Sequence, residues 1–529
     1  MGISSAQEGL GRISPTSIAN PRKVAKIICY SSYQLLLGFS LCTTLPSANA
    51  VRGIGKRSGS LIHANSVIQT WEWLFIIYFV LLAASYLLLD LISLVTLSRY
   101  LPEHTLDRLP EGYTGFEPGI SLLAPAYNEE STIAGSIRSL LQLTYAEYEI
   151  IVVNDGSKDR TLDVLIREFS LARFPEVYQM RIPTKTIRDV YRSEQYPNLR
   201  VVDKENGGKA DALNAGINLS KYSLFCSLDA DSIVQRDGLQ RIVQPFLHDP
   251  TTVACGGTIR IANGCEVSGG FLVKVGLPGN LLALFQIVEY IRAFFFGRLG
   301  WSPLNAMLII SGAFGLFHKP TVLKVGGYRT ETIGEDMELV VRLHRLLRES
   351  KTPYRITFVP DPICWTEAPE DLRTLRNQRI RWQRGLCESL SLNRELLLHP
   401  TGGMVGWIAF PFAMFFECLS PVMIAIGYFA IVICFGLGLI SGAAVAAFLL
   451  ADVGLGMVVS VSALLLEEMS FHIYPKPVHT LYLFAVALAE NVGYRQLNSM
   501  WRLIGLVRWL SGKKASWGDM TRVASWQSR

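Results

Sequence analysis

The chain has 529 residues, too many for one compact soluble domain and enough for a catalytic domain with further elements. Half of the residues are hydrophobic and 18% are charged, and the mean hydropathy is +0.28; this excludes a disordered or fibrous protein and indicates that part of the chain uses lipid as its solvent. A net charge of +6, from 50 basic and 44 acidic residues, is accounted for by the cationic flanks of membrane segments and calls for no nucleic acid.

Residues 1–50 carry Arg22, Lys23 and Lys26 ahead of an apolar stretch from Ile27 to Leu45, followed by Ala48-Asn49-Ala50. That is the pattern of a secretory signal with an A-x-A site, or of a first, uncleaved membrane helix, and Ser31, Ser32, Gln34 and Ser40 weaken its apolar core. Over residues 72–98 the run from Trp73 to Leu97 holds a single charge, Asp90, and has the length of a transmembrane helix. Residues 118–370 change character: short β-branched runs at 120–127, 148–155, 199–204 and 222–231 alternate with helix-like stretches, which predicts an α/β domain with a largely parallel sheet. Residues 172–198 break the alternation and read as a surface insertion. Segment 371–400 reads as an amphipathic helical region, with Leu372, Leu375, Trp382, Leu386 and Leu390 available for an apolar stripe.

Residues 404–497 are apolar again. They supply two spans with 479–497 lying in the interface, or a 404–439 stretch split at Pro421. Over 498–529 basic residues face one acid, Asp519, so the positive-inside rule makes this a basic cytoplasmic tail. Glu417, inside an apolar stretch, either lines a polar path or sits at the interface. The nine cysteines contain no C-x-x-C, which predicts buried thiols and neither a disulfide framework nor a zinc site.

Open α/β sheets place ligands at the carboxyl ends of their strands, and here those ends are acidic. The first ends in Tyr127-Asn128-Glu129-Glu130 and the second in Asn154-Asp155-Gly156-Ser157, carboxylates able to accept hydrogen bonds from a nucleoside, although N-D-G-S is also an ordinary turn. Asp229-Ala230-Asp231 follows an apolar run; two carboxylates so spaced can hold a hard cation on a diphosphate, or form a solvated turn. Gly207-Gly208-Lys209 opens a helix, where backbone donors and a cation can meet an anion, and lacks the spacing of a Walker loop. Gly334-Glu335-Asp336 precedes a helical pattern, so Asp336 is a helix cap or a general base. In a helix, Gln378, Arg381 and Trp382 stand at i, i+3 and i+4 on one face, suited to a diphosphate and a sugar ring, or to a membrane surface.

Taken in this order, the motifs resemble the membrane-embedded, processive family 2 glycosyltransferases, the group of cellulose, chitin, hyaluronan and poly-N-acetylglucosamine synthases. The resemblance covers residues 118–385 by motif. It implies a GT-A, Rossmann-like nucleotide-diphospho-sugar transferase domain flanked by transmembrane helices, in a multi-pass inner-membrane protein with its catalytic domain in the cytoplasm. It further implies a nucleotide site at Tyr127, Glu129, Asp155, Lys209 and Asp229, Mg²⁺ or Mn²⁺ on Asp229 and Asp231, and Asp336 as base with Glu335 beside it. Gln378, Arg381 and Trp382 would meet the diphosphate and acceptor, and Ser311-Gly312 would belong to the acceptor segment. The implied partners are a UDP-sugar, the growing glycan, the bilayer and an accessory export or regulatory subunit. The competing readings are transfer of one sugar to a lipid or other acceptor, a non-catalytic membrane scaffold or receptor, and a nucleotidyltransferase.

Overall fold

The computed structural model describes residues 60–103, 117–268, 271–438, 440–474 and 476–512. The signal-like segment and the last part of the basic tail lie outside the described residues.

Twelve strands follow in chain order: β1 Ile120–Ala126, β2 Tyr148–Asp155, β3 Leu171–Arg173, β4 Ile187–Ser193, β5 Leu199–Lys204, β6 Leu224–Leu228, β7 Ile233–Val234, β8 Thr252–Ile261, β9 Glu266–Ser268, β10 Phe271–Lys274, β11 Phe314–His318 and β12 Arg355–Thr366. β9 and β10 form a separate hairpin, and the others form a sheet in the order β3-β4-β5-β2-β1-β6-β11-β8-β12-β7. The four runs visible in the sequence make its parallel centre, β5-β2-β1-β6. β1 and β6 are buried on nearly every residue, as strands covered on both faces must be.

The sheet is mixed where a largely parallel one was expected. β11 runs antiparallel between β6 and β8, and β4 runs antiparallel along β5. Residues 172–198 are therefore not a mere surface insertion, because β4 extends the sheet from inside them. Its sequence, IRDVYRS, buries Val190, Tyr191 and Ser193 and exposes or half-exposes the rest; the charges of this near-edge strand mask its periodicity. Around β1 the chain lays strands to both sides, so the carboxyl ends of β1, β2 and β6 meet, and the loops after them face one another.

The helices used below are α1 Ser60–Glu103, α2 Lys209–Leu219, α3 Leu281–Ile291, α4 Glu335–Glu349, α5 Leu372–Leu392, α6 Ser420–Gly436, α7 Gly442–Ser470, α8 Pro477–Ala489 and α9 Tyr494–Leu510. Among the described residues two segments are long and apolar enough to cross a membrane, Ile77–Leu101 of α1 and Phe448–Ser470 of α7. A third span is reached if Val405–Cys418 and α6 count together, bent by 44°. The break falls beside Pro421, which lies in the first turn of α6, where a proline's missing donor costs nothing. α8, with 13 residues, is about 20 Å long and too short to span a hydrocarbon core of about 30 Å.

α5 is not a free surface helix. It buries Leu375, Arg379, Ile380, Gln383, Cys387 and Leu390, while Leu372 and Trp382 are exposed, so the buried stripe is rotated from the expected one. The sequence expectation of a tail from residue 498 is likewise replaced, over 498–510, by α9, packed along α5. Gly505 makes that approach possible: a Cβ there would stand 2.8 Å from the carbonyl oxygen of Ile380. Trp501 and Leu506 of α9 are buried at the contact.

Candidate active site

The loops after β1, β2 and β6 line a cavity of about 1850 Å³ together with the starts of α2 and α4, one face of α5, and residues of α1, α7 and α9. The candidate nucleotide, metal, base and acceptor residues reach its wall: Tyr127, Glu129, Asp155, Lys209, Asp229, Asp231, Ser311, Gly312, Glu335, Asp336, Gln378, Arg381 and Trp382; Asn154, Gly156 and Ser157 of the second strand end do not.

Asp155 ends β2 and braces the next loop. Its Oδ1 accepts from Lys204 Nζ at 2.5 Å and from the Gly207 amide at 3.0 Å, and its Oδ2 accepts from the Gly208 amide at 2.7 Å. The amides at the start of α2, expected to meet a ligand anion, thus already meet this carboxylate. Glycine is needed at both positions: Gly208 has φ +88, and a Cβ on Gly207 would lie 2.4 Å from Asp211 Oδ2. Lys204, fully buried, also pairs with Asp211 at 2.6 Å. The turn is fixed before any ligand arrives.

Lys209, next in the chain, points the other way. Its Nζ lies 2.5 Å from Asp229 Oδ1, 3.3 Å from the Gly312 carbonyl oxygen and 3.7 Å from Glu335 Oε1. Burial works against its charge, and Asp229 and Glu335 outweigh burial, so the ammonium is held above its ordinary range. Burial also raises the Glu335 carboxyl, to about 7, with Lys209 opposing the rise and Asp336 adding to it. Asp336 is oriented at both oxygens: the Gly312 amide donates to Oδ2 at 3.0 Å and the Met337 amide to Oδ1 at 2.8 Å. A carboxylate offers about four acceptor sites, so capacity remains toward the cavity. A Cβ on Gly312 would stand 2.9 Å from Lys209 Nζ and 3.4 Å from Asp336 Oδ2, which explains a glycine between the two.

Asp229 and Asp231 follow β6 and both line the cavity. Two carboxylates fit a hard cation, which binds through oxygen. Among the described residues no group of three or more His, Cys, Asp or Glu could hold a metal, so the shell of a cation here would be completed by oxygens from outside the pair. On α5, the Oε1 of Gln378 is buried without a hydrogen-bond partner among the described residues, and Trp382, 44% exposed, opens to the cavity. Tyr127 is also partly open, at 37% exposed.

Sequence reasoning did not find Glu289, Tyr494 and Asn498, which line the same cavity. They come from α3 and α9, far from the motifs, and no spacing rule links them to α5. Glu417, Phe412 and Phe416 line the cavity too.

Residues 118–385 match the family described as glycosyltransferase like family 2. A poly-β-1,6-N-acetyl-D-glucosamine synthase of Staphylococcus aureus (strain COL) is 32% identical over 288 residues, 54% of this chain and 59% of that protein. The synthase of the same name from Staphylococcus epidermidis is 31% identical over 273 residues, 51% of this chain and 55% of that one. The chain thus spans a little over half the length of these curated relatives. A mannosyltransferase from Pyrobaculum calidifontis, solved with GDP-Man and Mn²⁺, aligns with a TM-score of 0.44 at 18% identity, over 80% of this chain and 99% of its own.

Proposed function

Because the chain belongs to the glycosyltransferase like family 2, we propose that it is a membrane-embedded inverting transferase that extends a β-linked N-acetylglucosamine polymer from UDP-N-acetylglucosamine. The donor site faces the cytoplasm and the product leaves across the plasma membrane. The observation that carries this reading is the continuity of the cavity: its wall includes Tyr127, Asp155 and Asp336 together with Tyr86, Phe412 and Val459 of the candidate membrane segments. A transferase releasing a singly modified soluble acceptor needs no such extension. The choice of sugar rests on the names of the synthases to which the chain is similar.

The reaction is a single displacement. Asp336 takes the proton of the acceptor hydroxyl as that oxygen forms a bond to the anomeric carbon; the bond from that carbon to the UDP oxygen breaks, UDP keeps the electron pair, and the configuration inverts. The amides of Gly312 and Met337 hold the carboxylate in place for this transfer. Lys209 and Arg381 place positive charge on the wall facing the departing diphosphate. Asp229 and Asp231 would hold Mg²⁺ or Mn²⁺, which when bound neutralises charge on the diphosphate. Trp382 offers an indole face to the acceptor ring.

The test is product formation by the full chain in nanodiscs with UDP-N-acetylglucosamine and Mn²⁺ or Mg²⁺, beside Asp336→Asn. High-molecular-weight product from the unaltered chain and a 10²–10⁴-fold lower rate in the variant, about the worth of a general base, are expected. UDP release without polymer would replace the reading by single transfer, and silence with a series of nucleotide sugars would replace it by a scaffold.

A further inference from the structure

The indole of Trp382 is held from behind. The guanidinium carbon of Arg379 lies 4.3 Å from its ring centroid, and Arg379 is only 2% exposed. Its Nη2 donates to Glu289 Oε2 at 2.7 Å and the Tyr494 hydroxyl is a second polar neighbour of the guanidinium, while Nε and Nη1 are buried without a hydrogen-bond partner among the described residues. Glu289 in turn accepts from the hydroxyl of Tyr494 at 3.0 Å and from Asn498 Nδ2 at 3.5 Å. The Tyr494 ring packs against Phe285, with centroids 4.8 Å apart. Three elements therefore meet behind one exposed indole: α3 brings Glu289, α5 brings Arg379 and Trp382, and α9 brings Tyr494 and Asn498.

We propose that Glu289, Arg379 and Tyr494 are positioning residues that set the plane of Trp382 against the acceptor sugar, which makes α9 part of the acceptor site. A buried guanidinium stacked on an indole is attracted to the ring face, and because Glu289 and Tyr494 together hold it, loss of either loosens the guanidinium and with it the plane of the indole. Arg381, two residues on, faces the cavity, so the two arginines of the motif divide the work: one meets the donor's diphosphate and the other holds the acceptor platform. α9 begins at Tyr494, beyond the residues 118–385 that match the family. The inference rests on the transferase reading above and assigns part of its acceptor site.

The experiment uses the full chain in nanodiscs with UDP-N-acetylglucosamine and, as acceptor, a β-1,6-linked N-acetylglucosamine pentasaccharide, comparing Tyr494→Phe, Glu289→Gln, Arg379→Lys and Trp382→Ala. Tyr494→Phe removes one hydroxyl and leaves the packing on Phe285, so it guards against a merely misfolded variant. The expected result is a KM for the pentasaccharide raised about tenfold in Glu289→Gln and severalfold in Tyr494→Phe, with the KM for the donor within twofold of the unaltered chain and partial retention in Arg379→Lys. In the Trp382→Ala background, Tyr494→Phe should add nothing further, since the residue it positions is gone. Equal changes in donor and acceptor KM, or effects that multiply in the double variant, would overturn the positioning role. Absence of transfer by the unaltered chain to any acceptor would instead overturn the transferase reading, so the two failures are distinguishable.

Discussion

Glu335 and Asp336 are adjacent in sequence but meet different surroundings. Asp336 receives two backbone amides, whereas Glu335 is buried with Lys209 as its counter-charge at 3.7 Å. Burial is the larger influence and raises the Glu335 carboxyl from 4.5 to about 7. Between those two values the folded chain keeps a proton that the unfolded chain has lost, so stability falls as pH rises through this window. The expected outcome is a Tm that declines from pH 5 to pH 8 in the unaltered chain and declines less in Glu335→Gln, measured on the detergent-held protein in the same buffers; equal slopes would show that Glu335 carries no such linkage. At this scale the cavity wall was legible where chemistry sits at strand ends and helix starts, as with Asp229 after β6 or Asp336 in the first turn of α4. It was not legible for Glu289 and Tyr494, because an acid in one helix and a tyrosine in another, 205 positions apart, leave no local pattern. Asp155 shows a subtler gap: the motif places it at the site, yet only the structure reveals that the glycine amides of the next loop are its partners.

The helices meet where side chains are absent. Gly334, at the start of α4, faces Gly385 of α5 so closely that a Cβ on Gly385 would stand 2.9 Å from the Gly334 Cα and 3.0 Å from its amide nitrogen. Those atoms are backbone and cannot rotate away. The contact sets the distance between the turn carrying Asp336 and the helix face carrying Gln378, Arg381 and Trp382, and Glu388 reinforces it by accepting from the Ile333 amide and the Thr332 hydroxyl, each at 3.0 Å. Gly385→Ala is therefore expected to push α5 outward, costing about 1–3 kcal/mol of stability as overpacking does and lowering turnover more than donor affinity. A thermal melt and donor titration of the variant check this; an unchanged Tm with full turnover would mean that α4 and α5 yield without consequence. The sequence announces α5 as helical, but its buried stripe differs from the apolar one because it runs through Arg379 and Gln383, polar residues that pair with Glu289 and Arg502. Periodicity of apolar residues does not register a buried face built partly from paired polar ones.

The sheet and α7, a candidate membrane helix, are joined by buried charge. Arg260 of β8 pairs with Glu467 of α7 at 3.3 Å, with both side chains nearly inaccessible, and Arg292 pairs with Glu490 while also donating to Ser460 at 2.7 Å. Removing one member of such a pair strands the other, a cost of about 3–5 kcal/mol, and the cavity is lined from both the sheet side and these helices. That geometry leads to the prediction about elongation. Val459 of α7, a candidate membrane helix, lines the cavity and is 4% exposed, away from Asp336 in the chain. If the polymer leaves along this wall, a larger side chain there obstructs the product only once it has grown past the site. Val459→Phe is then expected to shorten the product distribution severalfold while transfer of the first sugar to a short acceptor changes little, read by gel filtration of radiolabelled glycan beside initial rates on the pentasaccharide. A fall in both together would mean that α7 had shifted the catalytic residues, and unchanged product length would mean that the glycan leaves by another route.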